Sequence, residues 1–164
     1  MKILGLDPGS RYTGYGLIEK NGSSLTARTY GRFATPRKPL PDRLAFLTRE
    51  LRELLAREEP DVAALETPFH ALNPRSLIVL AQTRGALLAV VAETLRAVRE
   101  YTPAEVKVAV SGYGRADKSQ VEAMVRRILG LGSERLSADA ADALAVAICC
   151  AQMTRYADIE DRSR

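Results

Sequence analysis

The stretch KILGLDPGSRYTGYGLIEKNG, residues 2–22, decides the fold. It holds two apolar segments, Lys2–Asp7 and Thr13–Glu19, each of a length typical of a strand. The pair Asn21-Gly22 that follows is the strongest short-range signal of a hairpin. The chain therefore begins as an antiparallel meander whose first strand ends on an acid, Asp7.

The rest of the chain alternates helices with short apolar strands. A helix followed by a strand at 62–66 favours parallel pairing of that strand with the first one. Helix starts are indicated by a capping box at Thr102–Glu105, a second at Asp117–Gln120, and Ser137. The predicted elements are a third strand over about 25–35, a helix from about 40 to Pro60-Asp61, a helix over 74–97, a strand over 98–101, and helices from 103, from 118 to Gly130, and from 138 to about Tyr156.

The predicted helix over 74–97 is apolar on nearly every side. Its small residues Ala81, Gly85 and Ala89 recur every four positions. A helix of this kind must be covered on both faces, one of them by the sheet. The second cover is either another copy of the chain, packed along the small residues, or further structure within one subunit.

Composition predicts a small domain with a mild preference for an anionic partner. The chain has 164 residues and a net charge of +4, which suits one domain over 1–156 with a frayed polar tail over 157–164. Cys149 and Cys150 are adjacent, so they are poorly placed to bridge each other and are expected to be buried thiols. With no signal peptide or membrane-length apolar run expected, a cytoplasmic location is predicted.

Four carboxylates carry the chemistry: Asp7, Glu66, Asp139 and Asp142. Asp7 and Glu66 each end an apolar strand, and Asp139 and Asp142 are three residues apart, on one face of a helix. Oxygen ligands suit hard divalent cations, and two such ions about 3.5–4 Å apart run phosphodiester cleavage. Taken singly, each aspartate also has an ordinary structural explanation, either as a turn residue or as an acid at a helix start. At a helix start it stabilises the helix dipole by roughly 0.3–1 kcal/mol. A purely structural role is least suitable for Glu66, because a charged side chain at a buried strand end loses its hydration.

Nucleic-acid contacts are expected from basic residues and one aromatic ring. Lys107 and Lys118 flank a glycine-rich loop, and Phe69 follows Glu66 closely in a loop where an exposed ring can stack on bases. The alternatives are solvated lysines and a phenylalanine buried as a loop anchor. The arginines that can line a groove are Arg75, Arg84, Arg115, Arg126 and Arg127.

These residues together resemble the family of RuvC-type Holliday junction resolvases. The resemblance covers residues 3 to about 150 and is specific because its segments occur in order. They are Ile3–Ser10, Thr13–Gly16, Leu65-Glu66 with Phe69, Gln82–Gly85, Lys107, Lys118–Val121 and Asp139–Ala145.

The resemblance implies a fold and an activity. The fold is α/β and ribonuclease-H-like, with a five-stranded mixed sheet flanked by helices on both faces. The activity is cleavage of four-way DNA junctions by symmetric nicks on two opposing strands, leaving 5'-phosphate and 3'-hydroxyl ends. The resemblance further implies a bacterial homodimer, partnership with the branch-migration proteins RuvA and RuvB, and Mg²⁺ as cofactor, with Mn²⁺ able to substitute and two ions in each site.

The resemblance also assigns residues. Asp7, Glu66, Asp139 and Asp142 match the family's catalytic metal ligands, and relatives with histidine in place of Asp139 have a mixed ligand set that this chain lacks. Phe69, Lys107 and Lys118 match its DNA-contacting residues, and Arg75 lies in a loop where this chain departs from the pattern.

Two other functions compete with this one. The segment Asp7-Pro8-Gly9 with Gly14 and Gly16 also resembles the first phosphate loop of actin-like ATPases. That fold needs a second domain and a second phosphate loop, for which this chain is too short. A module that binds branched DNA without cutting it is the other alternative, and the presence of all four acids argues against it.

Overall fold

The computed structural model describes residues 1–67, 74–95 and 97–154. The predicted elements are confirmed, most of them to within two residues. They are β1 Lys2–Asp7, β2 Tyr12–Asn21, β3 Ser24–Ala34, α1 Leu40–Glu58, β4 Val62–Glu66, α2 Pro74–Thr94, β5 Val98–Tyr101, α3 Pro103–Ser111, α4 Lys118–Leu129 and α5 Ala138–Met153.

The strands form one mixed sheet in the order β3-β2-β1-β4-β5. β1, β2 and β3 pair antiparallel as a meander, whereas β4 pairs parallel with β1 and β5 pairs parallel with β4. The predicted five-stranded mixed sheet is therefore confirmed.

Helices cover both faces of the sheet, as expected. Leu4 and Leu6 of β1 belong to one buried cluster with α1 and α2, and Ile3 belongs to a second with α3, α4 and α5. Side chains alternate between faces along a strand. Asp7 therefore lies on the α5 face with Ile3, and by the same alternation Glu66 lies there with Val62.

Three glycines let α5 lie directly on the strands. A Cβ at Gly5 would lie 2.0 Å from the carbonyl oxygen of Ala143, and one at Gly14 would lie 1.9 Å from that of Asp139. A Cβ at Gly16 would meet the side chain of Leu144 at 2.7 Å. The helix thus contacts the backbone of the strands without intervening side chains, which only glycine permits.

Helix α2 ends earlier than predicted, and of the two alternatives for its second face, burial within one subunit is not observed. It ends at Thr94, because the carbonyl of Ala97 already accepts a hydrogen bond from Ala63 N of the sheet. It is also not buried within one subunit, since Leu77 and Ile78 are 44% and 59% exposed.

By length and composition, α2 could cross a membrane. Its most apolar 18-residue window has a mean hydropathy of 1.5, and 22% of that window is buried. The expectation that no apolar run reaches membrane length was therefore wrong.

Helices α3, α4 and α5 begin at the predicted caps. Thr102 with Glu105 and Asp117 with Gln120 form capping boxes, and the Ser137 side chain accepts from Ala140 N. α5 ends at Met153, and the predicted extension to Tyr156 lies outside the described residues.

Candidate active site

Strand pairing brings Asp7 and Glu66 side by side. β1 and β4 are parallel and in register up to Leu6 and Leu65, so their next residues end adjacent strands at the same edge of the sheet. Both carboxylates are half-buried and lie on the α5 face.

Helix α5 adds the other two acids above this edge. Gly14 is the β2 partner of Asp7, and the backbone of Asp139 lies directly against Gly14. Asp142 follows one helical turn later on the same face. Both aspartates are about two-thirds buried or more, with side chains 27% and 32% exposed. The structure thus gathers all four predicted acids around the end of β1.

Burial and mutual repulsion perturb the acids that lie deepest. The pKa of Asp7 is raised from 3.8 to about 7, first by burial and then by the charges of Asp142, Glu66 and Asp139, with Lys118 opposing. The pKa of Glu66 is raised by burial and by Asp142, and lowered in part by Lys118 and Lys107. Desolvation together with like charges is the usual origin of such shifts.

Two cations bind the helix acids. Lys118 Nζ donates to Asp142 Oδ2 at 2.9 Å, and this bond and the charge of Asp142 raise the pKa of Lys118. Arg32 Nη1 donates to Asp139 Oδ2 at 3.2 Å. Its guanidinium also lies 4.2 Å from the ring centroid of Tyr12, a cation–π contact.

Arg32 was missed by the sequence reasoning. It is the β3 partner of Gly14, which in turn pairs with Asp7. The three residues therefore form one row across the sheet at the level of the acids. A residue-by-residue register for the meander, had one been predicted, would have found it.

Lys107 and Lys118 share a cavity with two of the acids. The cavity has a volume of about 250 Å³, and its polar lining consists of Glu66, Lys107, Lys118 and Asp142. Its apolar lining is Pro103, Val106, Val121, Ala145 and Val146. The two predicted DNA-contacting lysines thus lie beside the acids.

The donor set suits a hard divalent cation. All four acids offer oxygen, and a half-buried group of repelling carboxylates is a place where added positive charge is favourable. Within 1–67, 74–95 and 97–154, no three acidic, imidazole or thiol groups are arranged as a ready-made metal site. The two ion pairs hold one oxygen each, Oδ2 of Asp139 and of Asp142, and leave the second oxygen of each aspartate for an ion.

Arg84 supports Glu66 from behind. Its Nε donates to the backbone carbonyl of Glu66 at 3.4 Å, and its Nη2 lies 2.6 Å from Glu100 Oε2. The side chain is 15% exposed, so it ties α2 to the ends of β4 and β5 and does not line a groove.

The remaining predicted basic residues are not drawn into the acid cluster. Arg75 is exposed in the first turn of α2. Arg126 bonds to Glu122 and to the carbonyls of Gly132 and Glu134, which is a structural role. The prediction for Phe69 lies outside the described residues.

A mixed sheet with acids at the ends of adjacent strands, faced by an acid-bearing helix, defines the ribonuclease-H-like class of metal-dependent nucleases. The family model for "Crossover junction endodeoxyribonuclease RuvC" matches residues 3–150. The chain belongs to this RuvC family, which confirms the resemblance and the fold.

Individual relatives agree with this assignment. The enzyme of the same name from Syntrophomonas wolfei is 49% identical over 150 residues, covering 91% of this chain and 87% of the relative. Thermus thermophilus RuvC superposes with a TM-score of 0.82 at 31% identity, over 93% of this chain and 96% of that one. The same protein in complex with a Holliday junction substrate also gives 0.82 at 31%, over 92% and 93%.

Proposed function

We propose that this protein resolves four-way DNA junctions by symmetric nicks on two opposing strands, leaving 5'-phosphate and 3'-hydroxyl ends. The observation that carries the proposal is the gathering of Asp7, Glu66, Asp139 and Asp142 at one edge of the sheet, where burial and the charges of the other three acids raise the pKa of Asp7 to about 7. A family of junction endonucleases and a relative bound to such a junction support the same substrate.

In this proposal the four acids hold Mg²⁺, with Mn²⁺ able to substitute, as two ions in each site. When bound, such ions activate water and stabilise the leaving oxygen of the phosphodiester. Asp7 interacts with the charges of the other three acids and would be one of the residues that hold the ions. Arg84 keeps the backbone of Glu66 in place, and the contact of Gly14 with Asp139 sets the distance of α5 from β2.

Lys107 and Lys118 bind the DNA backbone next to the acids in this proposal. A phosphate that approaches four carboxylates is repelled, and two ammonium groups on the wall of the same cavity offset that repulsion. Lys118 also reaches Asp142, so the position of its charge is already defined. Phe69 completes the set matched by the family resemblance, and we add Arg75 as a groove-lining arginine, exposed in the first turn of α2.

Paired nicks require two sites, which we assign to a homodimer. The exposed apolar face of α2 supports it, because Leu77, Ile78 and the small residues Ala81, Gly85 and Ala89 leave room for a second copy. A Cβ at Gly85 would meet nothing within 4 Å, so the helix backbone there is open to close approach. We take residues 1–156 as a single nuclease domain with a polar tail over 157–164.

The family also supports a proposal for the cellular setting. We propose a cytoplasmic enzyme of bacterial recombination and repair that works with RuvA and RuvB. The buried, unpaired thiols of Cys149 and Cys150 agree with a reducing compartment.

One gel experiment tests the function. A mobile four-way junction is bound in EDTA, and Mg²⁺ is then added; paired nicks on opposing strands are expected from the wild type. Asp7→Asn should bind the junction and fail to cut it. Binding without cleavage by the wild type on a panel of crossover sequences would favour the non-cleaving module instead. A strictly monomeric species by light scattering at micromolar concentration would contradict the homodimer.

A further inference from the structure

A second cavity lies beside the turn that joins β1 to β2. Its volume is about 480 Å³, and it is lined by Arg11, Thr35, Pro36, Arg37, Lys38 and Arg43. Four of these six residues are cationic and none is acidic. The cavity is separate from the one that holds Lys107 and Lys118.

Arg43 is fixed at this cavity with bonding capacity to spare. Its Nη1 donates to the carbonyl of Ser10 at 3.1 Å, which holds the guanidinium in place. Its Nε is buried and has no hydrogen-bond partner. This nitrogen is out of reach of solvent, so what Arg43 offers an anion is its positive charge and the Nη hydrogens that Ser10 does not use.

The cavity's cations are not neutralised by neighbouring carboxylates. Within the part of the chain that the structure describes, no ion pair joins Arg11, Arg37, Lys38 or Arg43 to an acid. Arg43 lies in α1, and other arginines of that helix do form ion pairs. Arg57 binds Glu58 at 2.8 Å. Arg49 pairs with Glu50, and Arg52 pairs with Glu93. Unpaired cations around one concave surface attract an anion.

The cavity lies at the end of β2 and β3, the strands that follow β1 in the sheet. Thr35 N and Oγ1 both donate to the carbonyl of Arg11, so β2 and β3 remain paired up to the cavity. Arg11 lies three residues before Gly14, the partner of Asp7. At about 3.3 Å per residue, this places the cavity about 10 Å from the catalytic row. Phosphates of one strand of a duplex rise about 3.4 Å along the axis per nucleotide and also turn around it, so a separation of about 10 Å corresponds to one or two nucleotides.

We propose that this cavity binds a backbone phosphate of the DNA, one or two nucleotides from the phosphate that is cut. Arginine forks match phosphate oxygens, and such contacts position the DNA without reading its sequence. The assignment rests on the proposed function, because it takes the DNA to be the junction strand that reaches Asp7. It adds a second anchor that sets the register of that strand against the acids.

A charge-matched pair of variants tests the anchor. R37Q/K38Q removes two exposed cations from the cavity. R28Q/R57Q removes two exposed cations at the opposite end of the sheet, where each is paired with a glutamate. Junction affinity is measured for both in EDTA between 50 and 200 mM KCl.

The expected result is about tenfold weaker binding by R37Q/K38Q, as for the loss of one charged hydrogen bond. The slope of log K against log [KCl] should also become shallower by about 1. The control variant should stay near wild type in both measures. Equal affinity and slope in R37Q/K38Q and R28Q/R57Q would overturn the proposal.

Neutral methylphosphonate linkages, placed one at a time along the cleaved strand, locate the phosphate. A linkage one or two nucleotides from the cut should weaken wild-type binding about tenfold and have no further effect on R37Q/K38Q. Equal losses at every linkage in both proteins would contradict the anchor, as would stabilisation by inorganic phosphate with DNA binding unchanged. Failure of the wild type to bind any junction would instead refute the proposed function itself.

Discussion

Replacing Asp7 with asparagine should stabilise the fold while it abolishes cleavage. The pKa of Asp7 is raised from 3.8 to about 7 by burial and by three neighbouring acids. At 1.36 kcal/mol per pKa unit, this difference corresponds to about 4 kcal/mol of unfavourable free energy in the charged, folded form. Asparagine has a similar shape and carries no charge, so the variant escapes this cost.

The direction of the pH dependence follows from proton binding. Between pH 4 and 7 the folded protein keeps a proton on Asp7 that the unfolded chain releases, so the free energy of unfolding falls as pH rises. The loss is complete above about pH 7. Asp7→Asn should therefore match the wild type near pH 4 and exceed it by about 4 kcal/mol at pH 8.

Urea unfolding in EDTA at both pH values measures the difference. Asp42→Asn is the matched control, because Asp42 is exposed in the first turn of α1 and its loss costs only about 0.3–1 kcal/mol through the helix dipole. Adding Mg²⁺ at pH 8 should raise the stability of the wild type more than that of Asp7→Asn. A variant no more stable than the wild type at pH 8 would refute the electrostatic reasoning, and retained cleavage would refute the role of Asp7.

Three further substitutions test the supports of the site. Arg32→Met frees Oδ2 of Asp139 and should tighten Mn²⁺ binding several-fold by calorimetry; weaker binding would show that Arg32 orders the ligand instead. Gly14→Ala should lower the free energy of unfolding in urea by about 1–3 kcal/mol through overpacking. Gly132→Ala is the control and should lower it little, because a Cβ there meets nothing within 4 Å. Equal losses would contradict the close helix contact. Arg84→Gln should lower the cleavage rate about ten- to hundredfold with folding retained; an unchanged rate would remove its positioning role.

The end of β1 could be predicted because local rules agree there. An apolar run, a turn pair after Asp7 and a second apolar run to Glu66 specify two strand ends, and strand alternation then puts both acids on one face. The spacing of Asp139 and Asp142 specifies a shared helical face in the same way. None of these steps requires knowledge of distant contacts.

The partners of the acids were not predicted because they depend on strand register and on the packing of helices. Arg32 and Lys118 are 107 and 24 residues away in sequence from the aspartates that they bind. Which exposed cation reaches an acid is decided by the register of β3 and by the angle at which α4 meets α5. The end of α2 was misplaced for a similar reason. Ala97 accepts a hydrogen bond from Ala63 N and so already belongs to the sheet.

Peptide planes, and not side chains, separate α5 from β1 and β2. The backbone carbonyls of Ala143 and Asp139 contact the backbone of Gly5 and Gly14 directly. Rotamer changes elsewhere in the interior cannot alter that gap, so drift in the apolar residues of α5 leaves the spacing of its aspartates intact. Mutations that tune catalysis are therefore expected to accumulate around the rim of the acids, while the three glycines beneath the helix stay fixed.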